Sequence, residues 1–532
     1  MYTNVQRIFL SAAAALLASS AASAGVVPVI NPIGTPLISP IGDPTTSYEF
    51  GRDVATSNGR IAVGAVARSA PEGRVFVFDE ATGAFTREIA PPASSHELAA
   101  DAFGNQVALD GDVLVVASNP WYALDDFSEV YVYNADTGAL VTELLPFGDG
   151  VENSGSRGFG MNIAVGSGMI AVSQPIFMIE PGVLVGAVFL YDAETGAPID
   201  RLIGTDVPSS AWDFFGASVA IHGDTIAVGR AVVNLNDGVG APQDVFLFDA
   251  QTLAMRAHVL PPVTVSFDDD FGAVIALNGD TLVVCAPGDD SFGQGSGSVF
   301  TFDAATGAYR NTLALVHPTG PGGSNQRMNA EINEDGLIAI TSRANGAAGP
   351  AVRVFDDQTG VQVASLELDS MTPDPEFGMG LAFVGNKVYA GNSSGTPGVL
   401  DSVYAFVIGS VITQQPGHYA TDVENEMHTF SVVATNAVAY QWFRDGVPVV
   451  DGPFSTGATT DSLTVLANSA TQGVYVCEVM GITASLSLSD PAFLLYQGVD
   501  GEPACDYDFD LNGVVDSTDL ASLLAFWGPC PE

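Results

Sequence analysis

Apolar residues in this chain fall in short runs of strand length, broken by Gly, Asp and Asn. Residues 271–315 show the plan. Residues 271–277 form one apolar run, Asn278-Gly279-Asp280 is a hairpin signal, and 281–286 form a second run. A variable stretch, 287–297, leads to a third run at 298–302. Asp303-Ala304-Ala305-Thr306-Gly307 makes another turn before a fourth run at 309–315. The pattern predicts four antiparallel strands. The first three are apolar at nearly every position, as strands buried on both faces must be. The fourth is mixed, as an outer edge is.

This unit recurs. Clear copies start at Phe50-Gly51, Phe103-Gly104, Phe159-Gly160, Phe215-Gly216, Phe271-Gly272 and Phe377-Gly378, and a degenerate one starts at Met328-Asn329. A period of about 56 residues built from strands signals a radial or stacked array. Four antiparallel strands per unit make one propeller blade. The last unit shows only three strands, ending near residues 403–406. A segment like the missing fourth lies at the other end of the chain, where residues 34–44 are similar to the fourth-strand segment 138–146. An N-terminal strand completing the last blade closes a ring and removes the open sheet edge. The expected fold is therefore all-β, with a seven-bladed β-propeller over residues 26–410.

On the Phe-Gly starts, the Gly-Asp hairpins at Gly111-Asp112, Gly223-Asp224 and Gly279-Asp280, and Ala286-Pro287-Gly288, the chain resembles the FG-GAP repeat family of the integrin α propeller and of secreted bacterial proteins. Many members of that family carry a D-x-D-x-D-G calcium loop between the second and third strands. The corresponding stretches here, 123–127, 234–238 and 289–293, do not place carboxylates at alternate positions, so no blade calcium is expected. The Asp-x-x-Thr-Gly segments are also similar to those of quinone-dependent dehydrogenase propellers. They lack the Lys and Trp that follow there, and are assigned to plain turns.

Near residue 411 the period ends. Tyr440-Gln441-Trp442-Phe443-Arg444 runs into a turn, 461–465 alternate, and Gly473-Val474-Tyr475-Val476-Cys477 follows. Residues 411–497 resemble an immunoglobulin-like domain, with Trp442 matching the core tryptophan and Tyr475 the tyrosine corner. The partner cysteine is missing from the early strand at 428–433, so Cys477 is expected to be an unpaired core thiol. Cys285, in an apolar run, is expected to be a buried free thiol too.

Residues 503–532 carry the strongest local motif. Asp508, Asp510, Asn512, Asp516 and Asp519 occupy positions 1, 3, 5, 9 and 12 of a calcium loop, Gly513 supplies its sharp turn, and Val514 would donate a backbone carbonyl. Leu520, Leu523, Leu524 and Trp527 then form an apolar stripe on a short helix. The segment resembles a single dockerin repeat, which implies Ca²⁺ as ligand and a cohesin-like protein as partner. Cys505 and Cys530 flank it and are expected to pair. A calcium- and disulfide-stapled cap is the alternative to a docking module.

Charge and the N-terminus set the surroundings. The chain carries a formal net charge of −45, and Lys387 is its only lysine, which argues against nucleic acid and anionic lipid as partners. Arg7, the apolar run 8–17 and Ala22-Ser23-Ala24 read as a signal peptide over residues 1–24, cleaved near Ala24. No later stretch reads as a membrane span. Glu49, Asp101, Asp213, Asp270 and Glu376 precede Phe-Gly starts and are assigned to turns rather than to a ligand-gathering ring. The six histidines, His96, His222, His258, His317, His418 and His428, recur at no common unit position, and no nucleophile elbow is present. The sequence thus points to a secreted or cell-surface, non-enzymatic binding or adhesion protein with an extracellular protein or glycan as partner. The rival readings are a polysaccharide-active enzyme with a dockerin-like tail and a cell-surface structural protein.

Overall fold

The computed structural model describes residues 29–496, apart from 31, 41–47, 68–71, 94, 120–127, 150–155, 181–182, 205–213, 232–242, 263–264, 266–268, 290, 292–296, 314–327, 343–350, 369–376, 394–400, 436 and 482–485. The expected leader at 1–24 and the expected calcium loop and cysteine pair within 503–532 lie outside the described residues. The chain divides into two compact units, one through Val407 and one from Ile408, just before the break in sequence pattern at 411.

Among the described residues, the first unit holds seven sheets each built on four antiparallel strands, and a separate two-stranded sheet of Met178–Glu180 and Val183–Leu184. The first runs Tyr48–Ser57, Arg60–Ala67, Arg74–Asp79, Phe85–Ile89, and the others follow the same order from inside to outside. The innermost strands are Tyr48–Ser57, Phe103–Asp110, Ile163–Gly166, Phe215–His222, Val274–Leu277, Ala330–Ile332 and Phe377–Val384. Each packs on the next, and the last packs on the first. Sheets arranged radially in a closed cycle are a β-propeller.

Closure comes from the N-terminus. Ile33–Ile38 pairs antiparallel with Ser402–Val407 as the outer strand of the seventh sheet, the place assigned from sequence. A second contact was not legible. Val29–Ile30 lies parallel on Ser365 and Leu366, adding a fifth strand to the outer edge of the sixth sheet. The chain therefore grips two neighbouring sheets before it begins the first.

The repeat residues explain this packing. The phenylalanine of each clear Phe-Gly start is buried and meets an aromatic ring of its own sheet's third strand. Phe50–Phe76, Phe103–Tyr131, Phe159–Phe189, Phe215–Phe246, Phe271–Phe300 and Phe377–Phe406 have centroids 5.8, 6.3, 5.7, 5.5, 5.8 and 5.9 Å apart, the spacing at which aromatic pairs attract. The glycine serves the seam between sheets. Gly104 has φ +84°, and a Cβ there would lie 2.6 Å from the Arg74 carbonyl oxygen of the preceding sheet. A side chain would push the two sheets apart. Second strands such as Thr281–Ala286 are buried throughout, between neighbouring sheets. Cys285 within it is free, and burial pushes its thiol up to about 12.

The Asp-x-x-Thr-Gly segments are turns, as assigned. In the first, Thr82 N donates to Asp79 Oδ1 at 2.9 Å and Gly83 N donates to the Asp79 carbonyl at 2.8 Å. The same pattern closes the turns at Asn134, Asp192, Asp249, Asp303 and Asp356.

The second unit packs two sheets face to face. One contains Tyr419–Thr421, Ala492–Tyr496, Gly473–Gly481 and Ala437–Arg444; the other contains Glu426–Ser431, Ser462–Ala467 and Ser455–Thr456. Trp442, Phe430, Leu463, Val465, Tyr475, Cys477 and Leu494 share the core. Trp442 Nε1 donates to the Thr460 carbonyl at 2.9 Å, and Tyr475 Oη to the Thr471 carbonyl at 2.5 Å. Cys477 is free and buried opposite Trp442. Phe430, on the early strand that lacks a cysteine, stacks on Tyr475.

Candidate functional site

The two ends of the propeller sheets are built differently. At one end lie tight hairpins such as Asn58-Gly59 and the Asp-x-x-Thr-Gly turns. At the other end each second strand stops and its third begins, and each sheet hands over to the next; at the fourth sheet these strand ends are Arg230, Asp244 and Val259. Antiparallel pairing gathers these strand ends at one edge of the sheet, where Phe215 pairs with Arg230, Arg230 with Asp244 and Val245 with Val259. The strand ends that lead into the segments varying most between repeats therefore share one edge.

At that edge the fourth sheet carries a charged cluster. Asp244 is buried; Arg230 Nε donates to its Oδ1 at 2.7 Å, and Arg230 Nη2 bonds Oδ2. His258 Nε2 lies 2.7 Å from the same Oδ2. The His258 ring stacks on Phe246 with centroids 4.6 Å apart, and the Arg230 guanidinium lies 4.9 Å over the Phe246 ring. Asp244 is thus satisfied from two sides, as a buried carboxylate must be. His258 keeps part of its ring in solvent. Sequence reading did not bring these residues together, because the contact depends on the register that sets Arg230 opposite Asp244 and Phe246 opposite His258.

The equivalent edge positions carry different chemistry in the other sheets. The first sheet has Arg74 bonded to Glu88 at 2.7 Å. The second has Glu129, reached by Tyr131 Oη at 2.6 Å and His96 N at 3.1 Å. The fifth has the neutral Ser298 and Thr312. Sheets built in the same strand order thus carry unlike rims.

Of the acids that precede Phe-Gly starts, Glu49 is paired with Arg52 at 3.1 Å, and Asp270 begins a turn closed on its carbonyl by Ala273 N. Asp101 lies in the last turn of the short helix Glu97–Ala102. Asp213 and Glu376 lie outside the described residues.

The axis of the ring holds a second site that sequence reading missed. Two residues after each Phe-Gly or its equivalent stand Asp53, Gln106, Asn162, Ser218, Val274, Glu331 and Gly380. The first four tie their strand to the next sheet. Val107 N donates to Asp53 Oδ2 at 2.8 Å, Ile163 N to Gln106 Oε1 at 3.2 Å, Asn162 Nδ2 to the Ala217 carbonyl at 2.6 Å, and Ser218 Oγ to the Gly272 carbonyl at 2.7 Å. Glu331 is the other carboxyl in this column. Surrounding protein pushes Asp53 up to about 7, opposed by the N–H bonds from Val107 and Val54 and by Arg52. It pushes Glu331 up to about 8, and the charge on Asp53 adds to that. Aligning the repeats by eye would have shown that only these two positions of the column carry acid.

The predicted calcium ligands Asp508, Asp510, Asn512, Val514, Asp516 and Asp519, and the pair Cys505 and Cys530, lie outside the described residues. Among the described residues no group of three or more His, Cys, Asp or Glu side chains is placed to hold a metal ion. No described helix is long and apolar enough to cross a membrane.

Residues 261–302 match the FG-GAP repeat. The matched span holds the first three strands of the fifth sheet, from Val274–Leu277 to Ser298–Asp303. Comparison with curated proteins finds no match. Among solved structures, the chain is similar to the β-propeller domain of the Trilobed protease from Pyrococcus furiosus, at 12% identity and a TM-score of 0.42, covering 68% of this chain and 93% of that one. It is similar to Kuenenia stuttgartiensis hydrazine synthase at 12% identity and 0.43, covering 67% and 95%. It is similar to the acylaminoacyl peptidase of Pyrococcus horikoshii at 10% identity and 0.41, covering 73% and 58%. Likeness at this level says nothing of activity.

Proposed function

We propose that this chain is a secreted, non-enzymatic binding or adhesion protein whose propeller recognises an extracellular protein or glycan through the face that carries the long connections. The observation that carries the reading is the contrast between the two ends of the sheets. The Phe-Gly residues and the Asp-x-x-Thr-Gly turns are used up in packing and turn closure. The edge positions on the opposite face differ from sheet to sheet, from Arg230–Asp244–His258 to Ser298 and Thr312. A rigid scaffold with variable connections gathered on one face is the usual plan of a recognition surface.

In this reading the seven sheets are seven blades of an FG-GAP-type propeller. The second unit is an immunoglobulin-like spacer, supported by the buried Trp442 and the Tyr475–Thr471 bond. Residues 508–519 bind Ca²⁺ and, with a Cys505–Cys530 bridge, either cap the chain or dock it on a cohesin-like protein. Residues 1–24 direct export.

Replacing residues 232–242 by a short Gly-Ser turn tests the reading. Retention on the immobilised protein or polysaccharide that holds the mature chain is expected to fall at least tenfold while the melting transition is kept. Undiminished retention by every such connection variant would remove the face from the account, and soluble product from a polysaccharide would favour the enzyme instead.

A further inference from the structure

We propose that the apolar stripe Leu520, Leu523, Leu524 and Trp527 docks within its own chain, on an exposed apolar row at one end of the second unit's smaller sheet. This rests on the reading of residues 503–532 as a loop and helix, and of that reading's two forms, cap and docking module, it selects the cap.

The row follows from the strand register. Glu426–Ser431, Ser462–Ala467 and Ser455–Thr456 lie side by side. Phe430, Leu463 and Val465 are buried in the core, so the positions that alternate with them form the outer face. Along most of that face the pairs are hydroxyl residues. Ser431 stands opposite Ser462, and Thr429 opposite Thr464 with their Oγ1 atoms 2.9 Å apart. Such a face suits water. At one end the chemistry changes. Met427 stands opposite Leu466, and Leu466 N donates to the Phe454 carbonyl at 2.9 Å. Ser455 Oγ donates to the Val450 carbonyl at 3.1 Å, which brings Val450 to the same end. Met427 is 72% exposed, Val450 76% and Phe454 49%. Large apolar side chains gathered at one end of a hydroxyl-bearing face mark a surface that takes a cover.

The chain itself brings a cover to this place. The strand Ala492–Tyr496 pairs parallel with Tyr419–Thr421, which sets Tyr496 beside Thr421. Thr421 Oγ1 bonds Glu426, the residue before Met427. The Tyr419 ring stacks on His428, the residue after Met427, with centroids 3.9 Å apart. The strand therefore ends beside the Met427 end of the row. Leu520 follows Tyr496 by 24 residues, and a chain of that length reaches up to about 80 Å, far more than the width of a small sheet. The stripe has the complementary need. Its spacing of i, i+3, i+4 and i+7 lines one face of a helix, and so short a helix needs a surface to rest on in water. Tethering holds it near the row at about millimolar local concentration, which favours it over a second copy of the chain free in solution.

Peroxide oxidation of the full mature chain in calcium, read by peptide mass spectrometry, tests this. Met255, 56% exposed on the outer strand of the fourth sheet, is the internal reference. Sulfoxidation follows access, so a covered Met427 should oxidise about fivefold more slowly than Met255. Leu523→Asp combined with Trp527→Asp should raise Met427 to at least the Met255 rate and leave Met255 as it was. Calorimetric calcium titration of the same samples keeps the two ideas apart. Calcium uptake with Met427 as reactive as Met255 would overturn the docking and spare the loop. No uptake and no protection would overturn both. Protection that survives the double substitution, or that grows with protein concentration, would assign the row to another cover and overturn the proposal equally.

Discussion

A single glycine decides how closely two sheets approach. At Gly104 two penalties coincide, the left-handed φ and the 2.6 Å approach to a backbone oxygen that cannot move aside. Gly111, at φ +55° in the next hairpin, has open space around its missing side chain. Gly104→Ala should therefore cost about 3 kcal/mol and Gly111→Ala about 1 kcal/mol, because only the first adds a clash to backbone strain. Urea unfolding of the two variants against the parent checks the ratio, and equal costs would remove the seam from the explanation. At this scale the sequence shows which residues recur but not what they touch. Phe-Gly is visible as a repeat start, yet its glycine acts on a neighbouring sheet a whole unit earlier in the chain. Asp53 and Glu331 are hidden for the same reason, since they share the inner column only after the ring has closed.

Elements were legible wherever hydrophobic period and turn chemistry agreed. The four-strand unit, its two tight turns and the displaced closing strand all have such signals. The pairing of Val29–Ile30 with the sixth sheet has none, because two residues carry no period. The Arg230–Asp244–His258 cluster needs a register that no turn residue announces, as its second-to-third connection is long. The closing strand carries its own prediction. Removing residues 25–38 leaves the seventh sheet with three strands and an unpaired edge at Ser402–Val407, which invites pairing with another chain. Size-exclusion chromatography should show association, and the thermal transition should broaden and fall. A monomer with the parent's transition would show that the ring does not depend on this strand.

The whole molecule combines two opposed titrations. Asp79, Asp192, Asp249 and Asp303 are held below the ordinary carboxylate range by their turn bonds, led by Thr82 and Thr195 at the first two, by Thr252 with Arg256 at the third, and by Thr306 with Arg310 at the fourth. Their contribution is present above that range and is lost as pH falls through the lowered values, about 2 for Asp303. Asp53 and Glu331 act in the other sense, above neutrality. Stability should therefore be greatest in mildly acidic medium, with the urea midpoint falling toward pH 8.5 and again below about pH 3. A midpoint that climbs steadily from pH 5 to pH 8.5 would contradict this balance.

The central claim is that the face of long connections binds without turning its ligand over. The most direct measurement incubates the mature protein with a panel of extracellular matrix proteins and polysaccharides, recording retained protein and released fragments in the same samples. Saturable retention on one partner with no soluble fragment is the predicted result. Fragments that accumulate in proportion to time and protein would contradict it and make this propeller part of an enzyme.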